Sequence, residues 1–421
     1  MAEPVVCARA VMTPQTAAAE TERLIAAALY HRRPVYMAFP ADLAGRPVLD
    51  EARPAPAPRS DPAALAAAAD AVATALEGAA TACALPGLAV ARAGLGAQLQ
   101  AMIDATGLPF ATMFHDKTVL DERQPAYAGM YDGALMNEET RAFVESRDVI
   151  VAIGALMTDF NTGAFTARLD PARVVSIDAH ETTFGGAVFQ SVEMGELLGA
   201  IARRVKRRDW ERARPAAGPA ATGSGDDPIT AKALYPRWSA FLREGDVLVA
   251  ETGTASMGLG FTTMPRGANF YNQALWGAIG WATPAALGMA VAAPSRRIVL
   301  ITGEGSLQVG AQELSQFARL GLAPIVFVLN NDGYLIERLL CADPQIAYND
   351  VAPWRYAELP RALGCEGWFC ARVETCGELD AALEKAAHAG GGVFVEVVTG
   401  RYEASDLSLT LSARLKALSA E

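Results

Sequence analysis

Between Ile298 and Glu337 the chain reads IVLITGEGSLQVGAQELSQFARLGLAPIVFVLNNDGYLIE, and this stretch constrains the fold most. An apolar, β-branched run stops at Gly303-Glu304-Gly305-Ser306, and the spacing that follows predicts a helix from about Gln308 to Leu320. A second apolar run, Pro324 to Leu329, ends in Asn330-Asn331-Asp332-Gly333. Strand, glycine turn, helix, strand and turn make one βαβ unit of a parallel sheet. Both turns then lie at the carboxyl ends of their strands, the edge where open α/β sheets bind ligands. Glu304 and Asn331, 27 positions apart, offer hard oxygen ligands there, while Ser306 and the glycine amides offer donors to phosphate. From Val299 to Asp332 the one basic residue is Arg319, so a diphosphate at this edge needs a divalent cation to balance it. The same residues also suit an ordinary βαβ turn pair with incidental polar groups.

At 421 residues the chain is long enough for two or three domains with real cores. A net charge of −11 argues against a nucleic-acid partner and suits a soluble, cytoplasmic protein. Six cysteines without a CxxC pair, and four histidines, argue for reduced thiols and against a zinc site. Residues 1–20 have no continuous apolar core and do not read as a signal peptide. Gln273 to Ser295 carries no charge and is long enough to span a bilayer. Its glycines and prolines (Gly277, Gly280, Pro284, Gly288, Pro294) make it instead a loop followed by a small-residue helix buried on a sheet.

Residues 1–45 hold a helix from about Thr16 to Leu29 and a strand from Pro34 to Phe39, too little for a core of their own. A proline-rich linker, 46–60, leads into an alanine-rich helix from Pro62 to about Glu77. The middle section, 61–213, alternates strands and helices, with strands expected at Pro86–Ala91, Phe110–Met113, Asp148–Ile153 and Arg173–Ile177. Its basic end, Arg203 to Arg214, reads as the close of its last helix and a solvated face. Residues 214–228 read as a flexible linker, 229–400 as a third α/β domain, and 401–421 as a tail with a short helix over Leu411–Leu418. The third domain's expected strands are Val247–Ala250, Ile298–Ile301, Ile325–Leu329, Phe369–Val373 and Val393–Val398, with a helix over Glu378–His388.

The GEGS…NNDGYLIE arrangement resembles the diphosphate motif of thiamine-diphosphate enzymes, usually GDGS…NN. The wider match resembles the pyruvate and indolepyruvate decarboxylase branch. Its marks are AETGTASMG (250–258), QALWGAIGWATPAALGMA (273–290), NNDGYLIER (330–338), AYNDVAPWRYAELPRALG (347–364) and DERQPAYAGMY (121–131). The resemblance implies doubly wound, parallel-sheet α/β domains of the thiamine-diphosphate-binding type with an α/β middle domain. It implies thiamine diphosphate and Mg²⁺ as cofactors and decarboxylation of a small 2-oxo acid (indolepyruvate, phenylpyruvate or pyruvate type) to an aldehyde. It also implies a homodimer or homotetramer, with no nucleic-acid or membrane partner. By position, Glu304, Asn331 and the Gly333 carbonyl match the metal ligands, and Thr254, Gly305 and Ser306 the diphosphate contacts. Ile279 matches the bulky residue that props the cofactor into its bent shape, and Gly277 presents a carbonyl to the aminopyrimidine. Glu337 matches the acid used in decarboxylation and the protonation that follows, and a carboxyl beside a closing apolar pocket is expected to have a raised pKa. Thr252, counted with the cofactor contacts, is also expected to line the substrate pocket with Leu335, Ile336 and Leu339.

Two features depart from the family pattern. Residues 7–43 resemble the closing helix and strand of the pyrimidine-binding domain, so 1–45 reads as its C-terminal remnant. The glutamate that serves the aminopyrimidine and a paired-histidine motif are then expected to be missing, since His31, His115, His180 and His388 have no histidine neighbour in sequence. Glu304 stands where the family has Asp, one methylene longer, which is expected to weaken Mg²⁺ binding. The alternatives are a carboligase of the acetolactate-synthase type and a non-catalytic cofactor-binding fragment.

Overall fold

In the computed structural model the C-terminal apolar runs form one sheet, all six strands parallel: Val247–Ala250 (β1), Asn269–Tyr271 (β2), Ile298–Gly303 (β3), Ile325–Asn330 (β4), Phe369–Val373 (β5) and Val393–Val398 (β6). Their order is β2-β1-β3-β4-β6-β5. Continuous apolar runs fit because both faces are covered. Leu248, Val299, Ile301, Phe327 and Val395 pack on one side around Trp238. Val249, Leu300, Val326, Val328 and Phe394 pack on the other against Ala282, Ala286 and Ala290. Those alanines, four apart on one helix face, let the uncharged stretch lie close to the sheet. Among the described residues no helix is long and apolar enough to cross a membrane.

The structure describes residues 3–52, 54 and 56–420. Met1, Ala2, Arg53, Ala55 and Glu421, parts of the segments read as remnant, linker and tail, lie outside the described residues. Two compact units emerge. The first comprises Met1–Gly78, Ala89–Thr106 and Val175–Arg207. In it Ala8–Val11 and Val35–Ala38 pair in parallel on either side of helix Ala17–His31 in sequence. Ala8–Val11 was not expected as a strand, because its side chains are half exposed and carry no long apolar run. Helices Pro62–Gly78, Gly96–Thr106 and Met194–Arg204 also belong here. A hairpin, Glu181–Phe184 with Ala187–Gln190, turns at Gly185-Gly186, both with positive φ, as tight hairpins require. His31 and His180, far apart in sequence, come to 5.9 Å between ring centroids, with His180 stacked on Tyr30 and bonded to Glu193.

The second unit comprises Ala79–Leu88, Gly107–Val174 and Arg208–Glu421. Besides the six-stranded sheet it holds four parallel strands in the order Tyr127–Met130, Phe110–Thr112, Ala82–Pro86 and Val149–Ile153. Several expectations need correction. The strand read over Pro86–Ala91 lies earlier, at Ala82–Pro86, and Leu88–Arg92 is helical. Asp116 Oδ1 accepts from Leu88 N at 2.7 Å, satisfying a free helix-start amide. The basic stretch after Arg204 is irregular rather than helical, and Arg208 stacks over Trp210 at 4.2 Å. The 214–228 segment is fastened at its end rather than loose. Gly377 N and Cys376 N donate to Gly225 O and Asp227 O at 2.7 and 2.8 Å, and Arg237 donates to Thr222 O and Gly223 O. The bonds from Gly377 N and Cys376 N serve the start of helix Cys376–Ala387, which also has a Thr375/Glu378 capping box.

Candidate active site

From β1 the chain passes through Thr254–Leu259 (α1) to β2 on one side, whereas from β3 it proceeds to β4 on the other. The carboxyl ends of β1 and β3 are therefore the topological switch point, where an open α/β sheet leaves a crevice. Glu251-Thr252-Gly253-Thr254 ends β1, and Glu304-Gly305-Ser306 follows β3 directly.

The helix expected from Gln308 begins earlier, at Glu304, and is broken into Glu304–Gly310 (α3) and Glu313–Arg319 (α4), with Ala282–Ala292 (α2) preceding β3. An acidic residue in the first turn complements the partial positive charge of a helix start, and the first-turn amides of α3 lack intrahelical partners. Gly305 is required because a Cβ there would overlap the Tyr334 ring.

Glu304 is buried, and its Oε1 accepts from Asn331 N at 3.1 Å and Gly333 N at 2.7 Å. Burial pushes its carboxyl up to about 7, against the lowering effect of those amides and of Arg338. The two asparagines divide their work. Asn330 Nδ2 donates to Glu396 Oε1 at 2.8 Å, while Asn331 Oδ1 is buried without a hydrogen-bond partner. A buried carboxylate short of positive charge beside an orphaned amide oxygen fits a hard divalent cation. Among the described residues no group of three or more His, Cys, Asp or Glu side chains could hold a metal ion, so Glu304 would offer a cation its carboxylate alongside oxygens of the Asn331–Gly333 loop rather than a cluster of acids.

Thr254 and Ser306 are buried at the crevice, and Thr254 O accepts from Tyr235 OH at 2.9 Å. Thr252 is half-buried. Gly277 has φ +57°, and Ile279 is 41% exposed next to Trp276, which is 81% exposed. Glu337 sits in helix Leu335–Leu340 (α5), exposed at its surface. At about 100° per residue, Leu335 and Leu339 share one side and Glu337 turns away from it. Leu335 and Leu339 are buried with Ala404, so neither lines an open pocket. Ile336 faces the Gly253 turn.

Two residues escaped the sequence reading. Glu251 is 1% exposed and accepts from Thr252 N (3.2 Å), Ala282 N (3.4 Å) and Thr302 Oγ1 (3.3 Å). Burial raises its carboxyl pKa, partly offset by those donors. Through Ala282 N it ties the start of α2 to the switch point, and its signal was an acid closing an apolar run, as at Glu304. Arg338, 1% exposed, was hidden by its position in a short helix beside Glu337.

Comparison with known proteins agrees with this geometry. Residues 69–203 match the family description "Thiamine pyrophosphate enzyme, central domain", and 251–397 match "Thiamine pyrophosphate enzyme, C-terminal TPP binding domain". The chain is 37% identical over 416 residues to an alpha-keto-acid decarboxylase of Mycobacterium avium, covering 97% of this chain and 73% of that protein. It is 36% identical to one of Mycobacterium leprae with the same coverage. In fold it is similar to benzoylformate decarboxylase from Polynucleobacter necessarius, with a TM-score of 0.74 at 19% identity, covering 96% of this chain and 78% of that one. The switch-point crevice thus has a known lineage, and the chain belongs to the thiamine-diphosphate-dependent 2-oxo-acid decarboxylases.

Proposed function

We propose that this site decarboxylates a 2-oxo acid of the indolepyruvate, phenylpyruvate or pyruvate type to an aldehyde and CO₂, with Mg²⁺ holding the cofactor's diphosphate. The observation that carries the metal is the buried Asn331 Oδ1 without a partner, beside a Glu304 carboxylate held by loop amides. Glu304, Asn331 and the Gly333 carbonyl would hold Mg²⁺, and Thr254, Gly305 and Ser306 the diphosphate. Gly277, Ile279 and Thr252 would orient the ring system, and Glu337 would carry the proton delivered after CO₂ leaves. Bound there, the cofactor supplies the electron sink that loss of CO₂ from a 2-oxo acid requires.

The same reading takes 1–45 as part of a pyrimidine-binding domain, 46–60 as a linker, 61–213 as the middle domain, 214–228 as a connecting segment, 229–400 as the diphosphate-binding domain and 401–421 as a tail. It takes the assembly as a homodimer or homotetramer in the cytoplasm.

The test is CO₂ release from phenylpyruvate, indolepyruvate and pyruvate with thiamine diphosphate, before and after Mg²⁺ removal by EDTA. Turnover of at least one acid, lost on chelation and restored by Mg²⁺, is expected. Turnover indifferent to chelation would sink the metal assignment. Retained cofactor with no turnover of any acid would favour the fragment reading.

A further inference from the structure

On α5, Leu335 faces the core, and Arg338, three positions on, shares its side. A buried guanidinium is costly unless its donors are occupied, so its partners are informative. Nη1 donates to Asn331 O at 3.3 Å. Nη2 donates to Asp332 O, to Asn349 O at 3.4 Å and to Asp350 Oδ1 at 3.0 Å. Asp350 is its one carboxylate partner among the described residues, with a side chain 56% exposed. Three backbone carbonyls from two separate segments take the other bonds.

The loop so gripped is conformationally demanding. Asp332 has φ +60° and Gly333 φ +132°. Asp332 stands in the left-handed region that a non-glycine residue occupies at a cost. A Cβ at Gly333 would overlap both Asn349 O and Arg338 Nη2. Tyr334 N closes the same arrangement by donating to Asn349 O at 2.8 Å. Of three successive loop carbonyls, Arg338 takes those of Asn331 and Asp332 and leaves that of Gly333.

We infer that Arg338 is a positioning residue for the cation site, fixing the Asn331-Asp332-Gly333 loop through its carbonyls so that the Asn331 side chain and Gly333 carbonyl stand ready as ligands. The inference rests on the cofactor reading above. The planar fork is essential to it, since an ammonium carries the charge but cannot span carbonyls of two segments in fixed geometry. Arg338 also joins this loop to the helix that carries Glu337.

The experiment measures Mn²⁺ bound by the full chain in saturating thiamine diphosphate, read by the loss of the free Mn²⁺ resonance signal. Metal-free thermal midpoints are recorded alongside. Arg338→Lys is expected to weaken Mn²⁺ binding by about tenfold or more, the range for residues that orient metal ligands. Asp350→Ala, which alters an exposed side chain and leaves the carbonyl bonds, is expected to weaken it in the same direction by about threefold, and it carries the test if Arg338→Lys does not fold. Unchanged Mn²⁺ affinity in the variants overturns the inference. So does a lowered midpoint with affinity kept, which would assign Arg338 to packing alone. Failure of the parent chain to retain Mn²⁺ overturns the cofactor reading itself, and the inference with it.

Discussion

Residue 304 shows what one methylene can do. Glu304 spends Oε1 on the amides of Asn331 and Gly333, which leaves its other oxygen for a cation. Mg²⁺ demands near-ideal ligand placement, and a side chain longer by about 1.5 Å than the aspartate usual in the family has more freedom to miss it. Glu304→Asp is therefore expected to tighten Mg²⁺ binding by up to about tenfold, and Glu304→Gln to weaken it well beyond that, because the amide no longer carries the negative charge that a hard cation needs. Isothermal titration of Mg²⁺ in the presence of thiamine diphosphate measures both. Equal affinities in all three proteins would remove Glu304 from the proposed metal site. The placement of Glu304 and Asn331 at the carboxyl edge of the sheet was legible in the sequence, because each follows an apolar run. Glu251 closes an apolar run in the same way, but its partners, like those of Arg338, are residues such as Ala282, Thr302 and Asn349 that only the tertiary fold delivers.

At the scale of elements, the turn after Phe110–Thr112 is locked to the segment before β2. Lys117 and Glu122 form an ion pair at 3.1 Å with side chains 1% and 0% exposed. Lys117 Nζ also donates to Thr262 O, and Glu122 accepts from Met264 N and Thr118 N. Every charge in this knot is matched, so removing one partner strands the other in a dry site. Glu122→Gln is expected to lower stability by about 3–5 kcal/mol, read by chemical denaturation. The double replacement Lys117→Met/Glu122→Leu should recover much of that loss, and a single variant as stable as the parent would show that the pair contributes little. Elements were legible to the degree that they are buried on both faces. β1 and β6 run as expected because a buried, mostly apolar run has few other uses, and β5 keeps its expected bounds although it is an edge strand with Arg372 exposed. The three-residue β2 carries too short a pattern to announce itself, and α3 starts where a glycine-rich turn was expected to continue.

For the molecule as a whole, buried carboxyls set part of the response to pH. Burial pushes Asp116 up to about 7, despite donors from Leu88 N and Asn161 Nδ2. Burial also raises Asp132, whose Oδ2 has no hydrogen-bond partner. A carboxyl whose folded pKa exceeds its unfolded value near 3.8 holds more protons when folded, so its contribution to stability falls as pH rises from about 4 to about 7. Asp116→Asn cannot ionise. Its stability relative to the parent should therefore improve steadily across that window and level off above it, as followed by thermal midpoints from pH 4 to 8. A difference that stays flat with pH would show that Asp116 remains charged in the folded chain.

The unlike duties of Asn330 and Asn331 bear on how this sequence can drift. The doublet looks like a repetition in which either member could stand in for the other. Neighbours on an extended strand point to opposite faces, so one is spoken for by Glu396 and the other is left with an open amide oxygen. A single-codon deletion within Ile325–Leu329 would move Asn331 into the slot of Asn330 and Asp332 into that of Asn331, while leaving the letters NN in place. The motif would then survive any text search and the site would not.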